Sequence, residues 1–201
     1  MKNICILCLS EIHFVPNQHE GFGLVARQFF KDLEKQMSQY DKENVYCIIA
    51  GDLVNIGGKF ENYKRFYEQF YSNLTKLIKP DNIICTPGNH DLDREVLSDK
   101  KWKKKHNELI QSNADEAAYN QMLMDESESV ILKKFYNYDT FCRERLNMPE
   151  YNLYGFSRNI IPEISIFFLN SALLSNGGLK GFPDDMNRLR IETSKLYEWI
   201  D

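Results

Sequence analysis

Four apolar runs punctuate the chain, and each stops at polar or glycine residues. Asn3 to Leu9 (NICILCL), Val45 to Ala50 (VYCIIA), Asn82 to Cys85 and Ile164 to Leu169 (ISIFFL) read as strands. Their near-continuous apolarity predicts strands covered on both faces. Between them the period changes. Within 23–37, Val25, Phe29, Leu33 and Met37 fall four apart on one helical stripe. Phe60, Tyr63, Tyr67, Phe70, Leu74 and Leu77 recur three and four apart, predicting a second amphipathic helix that Pro80 ends. Strand, helix, strand, helix, strand with short links predicts a parallel sheet in an α/β layer architecture.

From about Arg94 to Asn147 the strand signal stops, and Lys, Glu, Asn, Gln, Met and Tyr dominate. Val130 to Leu146 reads as a helix with Ile131, Phe135 and Tyr138 on one side. This stretch, 94–147, is expected to be a helical lid or insertion in a single domain spanning 1–201. Tyr136, Tyr138, Tyr151 and Tyr154 are read as packing of that lid. Beyond the fourth strand, Gly177-Gly178 and Gly181-Phe182-Pro183 read as turns. Asp184 or Asp185 is expected to cap a closing helix that runs to about Ile200.

The strand ends carry the candidate chemistry. The first run ends at Glu11-Ile12-His13, the second at Gly51-Asp52, and the third at Pro87-Gly88-Asn89-His90-Asp91. One polar cluster at a strand end is as readily a solvated turn as a site. Three of them converge, because residues just past the C-terminal ends of parallel strands meet on one edge. Asn170, at the end of the fourth strand, is a further candidate. Carboxylates, imidazoles and an amide oxygen suit Mn, Fe, Zn or similar divalent ions. Two residues apart in an extended segment, Glu11 and His13 share a face and can grip one ion. Asp52 can bridge two ions, an arrangement that polarises a phosphoryl group and generates hydroxide at neutral pH.

Ser-Glu-Ile-His, Gly-Asp-Leu-Val-Asn and Gly-Asn-His-Asp, in that order, resemble the first three motifs of the calcineurin-like metallophosphoesterases. The resemblance spans about the first 95 residues, and Phe168-Leu169-Asn170-Ser171-Ala172 is similar to the strand that follows in many members. It implies a layered α-β-β-α sandwich, a binuclear metal centre and hydrolysis of phosphomonoesters or phosphodiesters. Carried over by position, it implies Glu11 and His13 on the first metal, Asp52 bridging and Asn89 on the second. His90 would be the general acid to the leaving oxygen, with Asp91 orienting its ring. Arg94 is a candidate for a bidentate phosphate contact, or equally a solvated arginine at a helix start.

The chain also departs from that pattern. Glu11 stands where Asp is usual, and the extra methylene moves the carboxylate by about 1.5 Å. Asn55 stands where many members have a second Asp. The family's later motifs, a lone His and a Gly-His-x-His, have no counterpart, because after His90 the sequence holds only His106. The expectation is therefore a fragment or a shortened form of a longer phosphoesterase, with an incomplete two-metal site and further domains as partners. The alternative is a degenerate, non-catalytic phosphoesterase-like module that binds a ligand or a regulatory partner.

Bulk properties narrow this only slightly. With 201 residues, 43% hydrophobic and 27% charged, the composition is that of a soluble globular protein. A net charge of −4 supplies no global pull towards nucleic acid or an anionic membrane. No segment has the length to span a bilayer, and Ile4 to Leu9 is too short for a secretory signal. Cys5, Cys8, Cys47, Cys85 and Cys142 form an odd set. Cys5-x-x-Cys8 lies inside a strand, which favours small buried thiols in a reducing, cytoplasmic compartment over a metal knuckle. The lysines at 100, 101, 103, 104 and 105 around Trp102 point all round a helix and read as a solvated face. They still tilt the substrate expectation towards phosphodiesters such as nucleotides or nucleic acid. His19 and His106 read as lone surface or loop histidines.

Overall fold

The computed structural model describes residues 3–16, 21–112, 115–124, 129–179, 185, 191 and 193–200. Strands β1 (Cys5–Leu9), β2 (Val45–Ala50) and β3 (Ile83–Thr86) form a parallel sheet in the order β1-β2-β3. Register matters for function here. Leu9 lies opposite Ile49 and Ala50 opposite Thr86, so the three C-terminal ends finish side by side. β2 and β3 are largely buried, as their apolar runs predict. β1 is not covered on both faces. It is an edge strand whose residues alternate, with Ile6 and Cys8 exposed.

Helix α1 (Gly21–Met37) packs through Leu33, Phe29 and Met37. Val25, at the head of the expected stripe, is exposed with Leu24. The second aromatic stripe is real, but its winding changes midway. α2 (Phe60–Phe66) passes into a π-helical turn, Tyr67–Tyr71, and then into α3 (Ser72–Leu77). The wider turn shifts the helical register, so Phe66 and Tyr71 join Tyr63, Phe70 and Leu74 in the core. Phe29, Phe30 and Phe70 meet with ring centroids 5.0–6.0 Å apart, fastening α1 to this helix.

The segment after β3 is helical: a 3-10 turn at Arg94–Ser98, then α4 (Lys100–Gln111), α5 (Glu116–Met124), α6 (Val130–Lys134) and α7 (Tyr136–Arg145). Asp99 caps α4 by accepting from the Lys101 N–H. The expected helix over 130–146 breaks at Phe135, which leaves helical geometry while keeping its ring buried. Ile131, Phe135 and Tyr138 do share the core, and Tyr63 stacks on Phe141 of α7 at 5.2 Å. Tyr151 and Tyr154 are buried as well, whereas Tyr136 is exposed.

The lysine-rich face is not uniformly solvated. His106 of α4 is fully buried, and its Nε2–H donates to the Leu174 carbonyl at 3.1 Å. It is therefore not the surface residue its isolation in the sequence suggests. His19 lies outside the described residues.

The fourth apolar run does not extend the parallel sheet. β5 (Ile164–Leu169) pairs antiparallel with β4 (Gly155–Ile161), a strand that its mixed composition conceals. Ile164 and Phe167 are exposed while Phe168 is buried, so β5 is half-covered rather than sandwiched. The Tyr46 hydroxyl donates to the Ile160 carbonyl at 2.9 Å, tying the two sheets together. Helix α8 (Ser194–Ile200) lies against β4, with Trp199 stacked on Phe167 at 5.3 Å. That helix begins at Ser194, so Asp185 does not cap it; Asp184 and the 181–183 turn lie outside the described residues.

Burial and the neighbouring Lys134 charge push the His106 imidazole down to about 3, so the folded ring is neutral. An unfolded chain binds the proton from about 6.5 downward and the fold does not, so stability rises with pH across that window. Buried Asp91, held up at about 7, acts the opposite way with or without the imidazole. Chemical denaturation at a series of pH values should therefore show this fall in stability on acidification from 6.5 towards 3 as a difference between the wild type and a variant without the imidazole. His106→Gln, which keeps a donor for Leu174, should flatten that fall.

Candidate metal centre

Past β1 and β2 the backbone turns sharply. Among the described residues, the non-glycine positions with left-handed φ are Glu11 (54°), His13 (46°) and Asp52 (53°). Such conformations cost about 1–3 kcal/mol each and persist where the surroundings over-determine them. Here the two ends brace one another. The His13 N–H donates to the Asp52 carbonyl at 2.8 Å, Phe14 N–H to Leu53 at 3.0 Å and Asn55 N–H to Phe14 at 3.1 Å. Glu11 and His13 are thus brought together by two left-handed residues flanking Ile12, not by an extended pair. His13 Nε2 lies 3.0 Å from Glu11 Oε2 and 3.6 Å from Asp52 Oδ2.

His90 arrives from the end of β3. Its ring meets that of His13 edge-on with centroids 4.4 Å apart. Its own N–H donates to Asp52 Oδ1 at 2.8 Å, which leaves Oδ2 facing His13. One donor atom from each of His13, Asp52 and His90 lies within 4.8 Å of the others. Ligand atoms about 2.1 Å from a shared ion sit roughly 3–4 Å apart. Two imidazoles and a carboxylate in this spacing can hold a divalent cation. Asp52 is buried, His13 is half-buried and Glu11 is mostly exposed.

Asp91 does not orient the His90 ring. Its fully buried carboxylate accepts from the N–H groups of Gly88 (2.9 Å), Leu53 (3.2 Å) and Val54 (3.3 Å), and Tyr63 O–H lies 3.4 Å away. Burial pushes this carboxyl up to about 7, against those three N–H donors, which pull it down. The His90 ring is oriented instead by the Asn55 carbonyl, 3.1 Å from Nδ1, and by Arg94 Nη2, 3.0 Å from the same atom. These two contacts are alternatives for a neutral ring. A protonated Nδ1 donates to Asn55 and leaves Nε2 bare, whereas a bare Nδ1 accepts from Arg94 and places the proton on Nε2.

A cleft of about 500 Å³ opens on this edge, lined by Glu11, Asp52, Asn89, Ser171 and Asp185 among others. Of the three-donor group, Asp52 lines this cleft together with Asn89. Arg94 and His90 are not among its lining residues; Arg94 reaches the site through its contact with the His90 ring. Asn170 is elsewhere: its amide is buried, donating to the Leu153 carbonyl and accepting from Ala172 N–H.

A family model described as calcineurin-like phosphoesterase matches residues 5–189. The chain belongs to that family. No curated protein and no solved structure gives a significant match to it. Four features of this calcineurin-like phosphoesterase escape a reading of its sequence: the Asn55 carbonyl, Tyr63, Asp185, and the closeness of Gly88 to Asp52. The first is a main-chain atom, which no side-chain motif reveals. Tyr63 looks like any core aromatic of its stripe, and Asp185 like a helix cap. Gly88 carries a signal in Pro-Gly, but its reason is tertiary. A Cβ there would stand 2.2 Å from Asp52 Oδ1 and 2.5 Å from Asp52 N.

Two variants separate the roles. Gly88→Ala should displace Asp52 and weaken Mn(II) affinity, measured calorimetrically, by about 10- to 100-fold. Asp91→Asn leaves backbone donors facing an amide, and should lower unfolding stability by roughly 2–4 kcal/mol. Unchanged metal affinity in the first, or unchanged stability in the second, would contradict these assignments.

Proposed function

We propose that this phosphoesterase-family chain is a metal-dependent hydrolase acting on phosphodiesters at the cleft beyond β1, β2 and β3. The observation that carries the reading is the convergence of His13, Asp52 and His90 within 4.8 Å, in a chain of this family. Bound there, a divalent ion (Mn, Fe or Zn) supplies Lewis acidity and a hydroxide-forming water site. Glu11, His13 and Asp52 would hold the first ion, and Asp52 and Asn89 would serve a second. His90 gives a proton to the leaving oxygen from Nε2, the nitrogen left protonated when Arg94 donates to Nδ1. Arg94 keeps its Nη2 contact with Nδ1 and turns its remaining N–H groups to an incoming phosphate, so Nε2 stays protonated.

A nucleotide or nucleic-acid diester suits α4, where exposed lysines at 100, 101, 103 and 104 contrast with a net charge of −4. Among the described residues no helix is long and apolar enough to cross a membrane. The five cysteines carry no disulfide, in keeping with a cytoplasmic setting. A second reading, a non-catalytic binding module, draws on Glu11. Its carboxylate is largely exposed and already engaged by His13.

Metal-stripped protein reloaded with Mn(II) should hydrolyse both an aryl and an alkyl phosphodiester, and Asp52→Asn should lose both activities. In His90→Ala the alkyl ester, which needs its leaving oxygen protonated, should slow by roughly 10²- to 10⁴-fold, and the nitrophenyl ester far less. Equal losses on both esters, with weakened Mn(II) binding, would make His90 a metal ligand instead. A folded wild-type protein that binds Mn(II) and turns over neither ester would favour the module.

A further inference from the structure

Three consecutive main-chain carbonyls, those of Leu173, Leu174 and Ser175, are gripped by side chains of the helical segment. Lys134, at the end of α6, donates from Nζ to Leu173 at 2.9 Å and to Ser175 at 2.7 Å. His106 of α4 donates to Leu174 between them at 3.1 Å. Lys134 has no exposed surface. An ammonium is among the costliest groups to bury, and a residue needed only to fill space there would be Leu or Met. The same residue is tied at its main chain, where its carbonyl accepts the N–H of Asp93 at 2.7 Å. Asp93 is the immediate neighbour of Arg94.

The opposite side of the gripped turn supports the cleft. Gly177 takes a left-handed φ of +66°, and a Cβ on it would lie 2.7 Å from Arg94 Nε and 3.0 Å from the Asn89 carbonyl. The Ser175 hydroxyl donates to the Asp185 carboxylate at 2.5 Å, and Asn176 N–H does so at 3.1 Å. Asp185 lines the cleft with Asp52 and Asn89. Both supports of Arg94 therefore run through one residue: Asp93 from the Lys134 main chain, and the Gly177 turn from its side chain.

We propose that Lys134 is a positioning residue for the cleft: its buried head group fixes the 173–177 turn, and that turn sets where Arg94 and Asn89 meet the phosphoryl oxygens of a substrate. The final step rests on the phosphoesterase reading, but the placement of Arg94 can be read without turnover. Lys134→Met keeps the aliphatic volume and removes the donors. In the full chain loaded with Mn(II), KM for a chromogenic phosphodiester should rise roughly tenfold, and inhibition by inorganic phosphate should weaken by about as much. With a nitrophenyl leaving group, which needs no proton from His90, the value of kcat should change by less than about threefold, since Asp52 stays in place. Mere destabilisation would instead lower kcat and leave KM and phosphate inhibition unmoved.

The Arg94 Nε–H signal in the ¹H–¹⁵N spectrum should also shift or broaden in the variant. A folded Lys134→Met with an unchanged Arg94 signal and unchanged phosphate inhibition overturns the proposal. If the wild type turns over no phosphodiester, the phosphoesterase reading fails, and the Arg94 signal alone decides this inference. Should Lys134→Met not fold, Gly177→Ala presses directly on Arg94 from the far side of the turn. It should give the same KM-weighted loss and the same shifted signal; neither change would overturn the proposal.

Discussion

The buried carboxylate of Asp91 is the interaction on which the rest of the edge depends. It comes from the end of β3, yet two of its three main-chain donors belong to the end of β2. Neighbouring strand ends are thereby joined by something stiffer than loop packing. Without that tie, the N–H groups of Leu53 and Val54 would need other partners in a region closed to water. Tyr63 adds a contact from α2 by donating to the Asp91 carbonyl at 2.8 Å, so the helix layer is pinned to the same point. Asp52, immediately before Leu53, is held in a conformation it would not adopt alone.

From this joint the division of labour follows. Asp52 uses one oxygen to receive the His90 N–H and turns the other towards His13. Gly88 allows the two loops to approach so closely because it has no Cβ. The strain at Glu11, His13 and Asp52 is a local cost offset by the hydrogen bonds that join 13–14 to 52–54. The helical segment after β3 contributes from behind, through Lys134 and His106, to the turn that backs Arg94. Side chains that meet in the cleft are thus set by buried groups that do not themselves enter it.

Much of this was legible in the chain. Apolar runs located the three parallel strands to within one or two residues, because buried strands need continuous apolarity whatever surrounds them. The polar residues just past each run were legible for the same reason, since parallel topology sends them to one edge. Local pattern misleads where tertiary context overrides it. β4 holds Ser157, Arg158 and Asn159 among its apolar residues and shows no clean alternation, yet pairing with β5 makes it a strand. His106 reads as a lone surface histidine and Lys134 carries no signal of its own, because nothing local announces the three main-chain carbonyls that they meet. Proximity in sequence to His90 suggests an orienting role for Asp91, whereas its side chain turns inward to main-chain donors.

The most direct test of the account is the crystal structure of the Mn(II)-loaded protein, with the ion located by its anomalous scattering. The account predicts a peak at the C-terminal edge of the parallel sheet, about 2.1 Å from donor atoms of His13 and Asp52, with the Asp91 carboxylate still bound to Gly88, Leu53 and Val54. No peak at that edge, or an ion held elsewhere while His13 and Asp52 keep their present partners, would contradict it.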